Sequence, residues 1–154
     1  MAITSFQGEY RWLSNFWPVK VELEGIIYPT VEHAYQASKT WDALEREGIR
    51  RCSTPGKAKR LGRSVSLSPD WMEVKLVVMK ALVLYKFGND RSLKAKLLAT
   101  GETDLIEGNP WGDTFWGVCD GVGENHLGRI LMEVRNLLRR TNHADATDGR
   151  FPRI

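Results

Sequence analysis

Hydrophobic and polar positions change period several times along the chain, and each change marks an element. VKVELEG and IIYP alternate apolar with polar residues on either side of Glu24-Gly25, which predicts a β-hairpin from about Val19 to Tyr28. Helical spacing then takes over. Pro29 closes the extended segment and Thr30 is an N-cap residue, so a helix is expected from Val31 to about Trp41. ALEREGIRR continues as a second short helix, and Ser53-Thr54-Pro55 opens a third that carries Lys57, Lys59, Arg60 and Arg63. Ser68-Pro69-Asp70 caps a long helix to about Phe87, with Trp71, Val74, Val77, Val78, Ala81, Leu82 and Tyr85 at core spacing. Asp90 to Ala99 is a shorter amphipathic helix, and DLIEGN a short strand. Leu127, Ile130, Leu131, Val134, Leu137 and Leu138 define a closing helix that ends in basic residues, as the helix dipole favours. The expected fold is α+β and mostly helical: a bundle-like core with one small antiparallel hairpin. Residues 1–140 form one domain in this reading, and 141–154 a polar, loose tail.

The helix after Thr30 carries an unusual set of side chains. At roughly 100° per residue, Glu32, Gln36 and Lys39 fall within about a 60° sector over two turns. The opposite face holds Ala34, Ala37, Ser38 and Trp41, which suits close packing on another element and leaves the Glu/Gln/Lys line facing a cleft or water. A solvated face with favourable charge spacing has the same pattern. His33 lies about 100° round the helix from Glu32 and reads as a structural hydrogen-bonding residue.

Composition narrows the classes of function without choosing one. The 154 residues are 42% hydrophobic and 27% charged, an ordinary globular balance. No apolar run has membrane-spanning length, and MAITSFQGEYR lacks the regions of a signal peptide, so a cytoplasmic setting is expected. Cys52 and Cys119 form no C-x-x-C pair, and His33, His126 and His143 repeat no zinc spacing, so reduced thiols and no metal are expected. A net charge of +3 permits contact with phosphates but does not require nucleic acid.

Three loops carry residues that folding alone explains poorly. LSNFWP sets Asn15 beside Phe16 and Trp17, a mixture suited to a pocket in which rings stack and an amide orients the ligand. WGDTFWG combines two Trp, a Phe and Asp113 with two glycines. CDGVGENHLG runs into the closing helix, where glycines would let amides approach an anion, although it lacks the Lys-Ser/Thr ending of a P-loop and Asn125 serves equally as a helix cap. The Lys57–Arg63 set is a solvated face or a phosphate contact.

LSNFWP, YPTVEHAYQASK, GRSVSLSPDWMEVKLVVMKALVLYKF and WGVCDGVGENHLGRILMEVR stand in the order and approximate spacing of the YbiA-like, or NADAR, family, and the sequence resembles it from about Phe6 to Arg140. It departs mainly at 118–124. The resemblance implies an N-glycoside hydrolase that cleaves ribose C1′ from an exocyclic amine. ADP-ribosylated guanine is the first substrate expected, ribosylaminopyrimidine phosphates of riboflavin synthesis the second, and a non-catalytic ADP-ribose or nucleotide module the alternative. It also implies roles. Glu32 moves protons, Lys39 carries the sugar as a Schiff base, and Gln36 holds a ribose hydroxyl. Trp71 and Trp116 stack on the base or cover the ribose, Arg63 meets a phosphate, and Asn15, Phe16, Asp113, Gly117, Asp120 and Asn125 line the pocket. No step calls for a metal or cofactor, and neither a membrane nor an obligate protein partner is implied.

Overall fold

A computed structural model of the chain describes residues 1–144. Strands are β1 (Ala2–Ile3), β2 (Val21–Leu23), β3 (Ile26–Tyr28) and β4 (Asp104–Leu105); helices are α1 (Val31–Ala37), α2 (Ala43–Arg50), α3 (Pro55–Leu61), α4 (Trp71–Asn89), α5 (Arg91–Ala99) and α6 (His126–Ala144). Among these residues the fold is mostly helical, with two two-stranded sheets. No helix among them is long and apolar enough to cross a membrane. The described residues divide into two compact units, one of Asn15–Lys86 and one of Met1–Ser14 with residues 87–144.

In the first unit β2 and β3 pair antiparallel, Val21 opposite Tyr28 and Leu23 opposite Ile26. Glu24 and Gly25 both take positive φ, 50° and 82°, the conformation that a two-residue hairpin turn demands. Val21, Leu23 and Tyr28 are buried while Ile26 and Ile27 are partly open, so period-2 alternation holds better on β2 than on β3. Thr30 then caps α1 and Asp42 caps α2, each accepting an amide three residues on. Thr54 does the same for α3, with Pro55 at the first helical position.

α1 ends at Ala37, short of the expected Trp41. Ser38 Oγ donates to Tyr35 O, and the amides of Lys39 and Thr40 bond back three residues, to Gln36 O and Ala37 O, which tightens and closes the last turn. Trp41 therefore leaves the helix and stands 66% exposed, where packing against another element was expected.

α4 packs on a different stripe from the one its β-branched residues suggest. Met79, Leu82, Val83, Lys86 and Phe87 are buried at spacings of three and four, with Trp71 at the start, whereas Val77 is 69% exposed and Val74, Val78, Ala81 and Tyr85 are half-buried. Lys86 interrupts this stripe as a charged letter, although its long apolar stem can be buried like the others.

In the second unit β1 pairs parallel with β4, Ala2 opposite Asp104 and Ile3 opposite Leu105. Only the later strand was expected, because two residues at the start of a chain carry no readable period. Asp90 caps α5, and Leu93 and Leu97 are its buried positions. α6 buries Leu127, Ile130, Leu131, Val134 and Leu138, leaves Leu137 half-buried, and continues to Ala144, past the expected loosening at Thr141. The rest of the expected tail lies outside the described residues. Arg135, buried on α6, donates from Nη1 to Thr100 Oγ1 at 2.9 Å and to Thr103 O at 2.7 Å, tying the turn after α5 to that helix.

Candidate active site

The line of Glu32, Gln36 and Lys39 is held by α1, whose first turn is pinned twice. Thr30 Oγ accepts from the His33 amide and lies 2.8 Å from His33 Nδ1, while His33 Nε2 lies 3.0 Å from Cys52 O. A carbonyl can only accept, so Nε2 carries a proton and donates to Cys52 O. His33 thus joins the start of α1 to the segment that follows α2. Beside it, Asn15 O accepts from the Glu32 amide at 3.1 Å, which draws the LSNFWP loop onto the same turn.

All of Val31–Ala37 is buried. That includes Glu32 at 7% and Gln36 at 3% exposure, so the polar line is not a solvated face. Gln36 Nε2 donates to Glu32 Oε1 at 2.8 Å. On its other side the Gln36 amide lies against Gly62, in the turn that follows α3, where a Cβ would come 2.0 Å from Gln36 Oε1. Gly62 has an ordinary helical φ of −59°. Glycine is needed there for space, not for backbone conformation.

Lys39 sits half-buried just past the end of α1, its backbone carbonyl accepting from the Ser68 amide at 2.7 Å. Its Nζ lies 5.6 Å from the centre of the Tyr35 ring, and Tyr35 meets Trp71 at 5.3 Å between centroids. Burial pushes the ammonium below the ordinary lysine range. The Glu32 carboxylate opposes that shift, and the positive charges of Arg63, Lys59 and Lys75 reinforce it. Arg63 itself is exposed, as is Phe16 at 42%.

Five buried side-chain polar atoms among the described residues lack a hydrogen-bond partner, and three of them surround this line: Asn15 Oδ1, Gln36 Oε1 and Ser68 Oγ. Each belongs to a residue bonded to Glu32 or Lys39. Unpaired buried polar groups are rare, and their concentration on two neighbouring ionisable residues marks a place shaped for something else.

The second unit holds the other residues singled out in the sequence. Asp113 Oδ1 accepts the amides of Phe115 and Trp116 at 3.1 and 2.9 Å, so it shapes its own loop. Trp116 and His126 both lie against Phe115, the former edge-on at 4.9 Å and the latter tilted at 4.5 Å. Gly117 is buried where a Cβ would strike Glu107 and Asn109. Asn125, at φ 53°, donates to Leu105 O and accepts from the Glu107 amide, so both ends of its amide hold backbone. Asp120 and Gly121 have φ of 51° and 77° at the tip of a turn closed by Cys119 and Val122, and Asp120 is exposed.

The fold therefore gathers Asn15, Phe16, Glu32, Gln36, Lys39, Arg63 and Trp71 in one unit, and Asp113, Trp116, Gly117, Asp120 and Asn125 in the other. Sequence reasoning overlooked Tyr35, Gly62 and Ser68. Tyr35 was within reach, since it precedes Lys39 by one helical turn; Gly62 and Ser68 are brought to the line by tertiary packing alone. No group of three or more metal-ligating side chains occurs among the described residues.

The chain as a whole is similar to known proteins. The NADAR domain model matches residues 4–139. The N-glycosidase YbiA of Escherichia coli strain K12 is 42% identical over 139 residues, covering 87% of this chain and 85% of that protein. A protein of Vibrio vulnificus named riboflavin biosynthesis protein VVA0006 is 40% identical over 133 residues, which are 84% of this chain and 36% of its own length. The NMR structure of E. coli YbiA superposes with a TM-score of 0.84 at 37% identity, covering 94% of this chain and 88% of that one.

Proposed function

The chain belongs to the NADAR domain family, and from that premise we propose that it is an N-glycosidase whose acid–base residue is Glu32 and whose nucleophile is Lys39. The observation that carries the proposal is a buried carboxylate on α1 together with a lysine, just past the end of that helix, that burial has pushed toward its neutral form.

The bond addressed joins ribose C1′ to an exocyclic amine bearing an N–H. Glu32 protonates the ribose ring oxygen, its carboxylate takes up the N–H proton of the leaving nitrogen, and the ring opens to an imine between C1′ and that nitrogen. The neutral Lys39 amine adds to C1′, a proton from Glu32 accompanies the departing amine, and the sugar remains on Lys39 as a Schiff base. Water, deprotonated by Glu32, then adds to C1′ and releases the aldose and the free lysine, so one water is consumed overall. Tyr35 and Trp71 keep the Lys39 surroundings poor in water, which favours the uncharged amine.

ADP-ribosylated guanine is the substrate this reading places first, because Lys59, Arg63 and Lys75 all exert a positive field on Lys39 and a diphosphate suits such a field. A ribosylaminopyrimidine phosphate is the second, favoured by the riboflavin biosynthesis names of the relatives from Vibrio vulnificus and Zea mays. The test is mass spectrometry of the purified protein with each substrate in turn. Loss of the sugar from one names it. Turnover of neither, with binding retained and unaffected by Glu32→Gln, would overturn the hydrolase in favour of a binding module.

A further inference from the structure

The first half of α4 leaves an apolar stripe open. The helix has four charged residues among its 19, a composition that suits burial on most sides. Yet Met72 and Val77 are 70% and 69% exposed, Leu76 is 38% exposed, Glu73 is exposed and Lys80 half-buried. At about 100° per residue these five side chains fall within a sector of about 140°. Further along, Val83 and Phe87 on the same side are buried, so the stripe runs from Met72 to Lys80, about 12 Å. Single apolar residues scattered over a surface need no explanation, but three that adjoin on one helix face do.

The order of side chains along the stripe identifies its occupant. Two copies of α4 crossing antiparallel about a two-fold axis at the level of Leu76 and Val77 set Leu76 opposite the second copy's Val77 and Glu73 opposite the second copy's Lys80, each contact made twice by symmetry. A parallel pair would instead oppose Glu73 to Glu73 and Lys80 to Lys80, which like charge disfavours. Apolar order and charge therefore agree on one arrangement. Lys80 also interacts within its own chain, but an ammonium has three donors. Going beyond the reading of Glu32 and Lys39, and independently of it, we propose that this stripe is a self-association surface on which two copies of the chain pair their α4 helices antiparallel. A stripe of this length covers less than the ~800 Å² per partner of a standard interface, so the dimer is a weak one, with a Kd of roughly 10 μM to 1 mM.

Sedimentation velocity of the full chain from about 5 μM to about 1 mM tests this, and the mean mass should rise from monomer toward dimer across that range. Glu73→Lys sets lysine against the second copy's Lys80 and should weaken association about 10-fold or more, as should Lys80→Glu. The two changes together restore opposite charges and should return the Kd to within about 3-fold of the wild type. A parallel pair holds like charges in all four proteins and would show no such rescue. Val77→Asp, at an exposed position, carries the test if Lys80→Glu does not fold, and should leave the chain monomeric throughout. A wild type that is monomeric at every concentration would overturn the proposal and leave the stripe to a different protein. A dimer indifferent to these changes, or single losses that the double variant does not repair, would overturn it as well.

Discussion

Gly62→Ala isolates the mechanical part of the site. The added Cβ would lie 2.0 Å from Gln36 Oε1 and 2.8 Å from Cδ, where ordinary contact begins at 3.4 Å. Backbone strain is absent, because φ at Gly62 is already helical, so the whole effect falls on the Gln36 amide. That amide must retreat by more than an ångström, and its 2.8 Å bond to Glu32 breaks. A hydrogen bond to a charged group contributes about 1.5–3 kcal/mol. If that bond orients Glu32 for proton transfer, kcat/KM falls by about 10- to 150-fold. Crowding at a closely packed position lowers stability by a further 1–3 kcal/mol or so, seen as a lower Tm. The assay is a cycle of four proteins, wild type, Gly62→Ala, Gln36→Ala and the double variant, with kcat/KM measured on the glycoside that the turnover assay identifies. Gln36→Ala should cost about as much as Gly62→Ala, and the double variant little more than either, because both act through one bond. Losses that multiply in the double variant, or a lower Tm with kcat/KM intact, would refute the reasoning.

Borohydride added during turnover should fix a sugar-mass adduct on Lys39, and Lys39→Arg should abolish both adduct and turnover; turnover without an adduct would leave Glu32 activating water directly. Arg63→Gln removes a charge that depresses the Lys39 pKa, so that pKa rises and the limb of kcat/KM that climbs with pH moves to higher pH; a limb that stays or moves lower would dissociate Lys39 from that titration. Burial, the larger cause, is untouched, so the limb should remain below that of an ordinary lysine. His33→Ala removes the bridge from Thr30 to Cys52 O and should lower stability by roughly 3 kcal/mol, or Tm by about 6–12 °C; an unchanged Tm would contradict the clamp.

Much of this was legible in the sequence because it is local. Thr30 and Thr54 with Pro55 announce where α1 and α3 begin, since an N-cap needs only its own side chain and an amide three residues on. Glu24-Gly25 sets the hairpin, and the period of Leu127 to Leu138 sets the face of α6. That Glu32 and Gln36 share a face follows from helix pitch alone, whereas Lys39, past the end of α1, is placed by the closing turn.

Whether that face met water was not legible, because burial depends on which segments return to cover it. Gly62 beneath Gln36, Ser68 on the Lys39 carbonyl and Asn15 on the Glu32 amide all come from outside the helix, and no period in α1 encodes them. The same holds for the β1–β4 pairing, whose partners are a hundred residues apart, and for the face of α4, where a buried Lys86 breaks the apolar code. The sequence by itself determined which chemical groups share a helix face and at what spacing. Only the tertiary structure decided that they are desolvated, that Lys39 is pushed toward its neutral form, and that three polar atoms beside them go unpaired. Those properties belong to the dielectric and the neighbours a side chain acquires on folding, and local propensity carries no record of either.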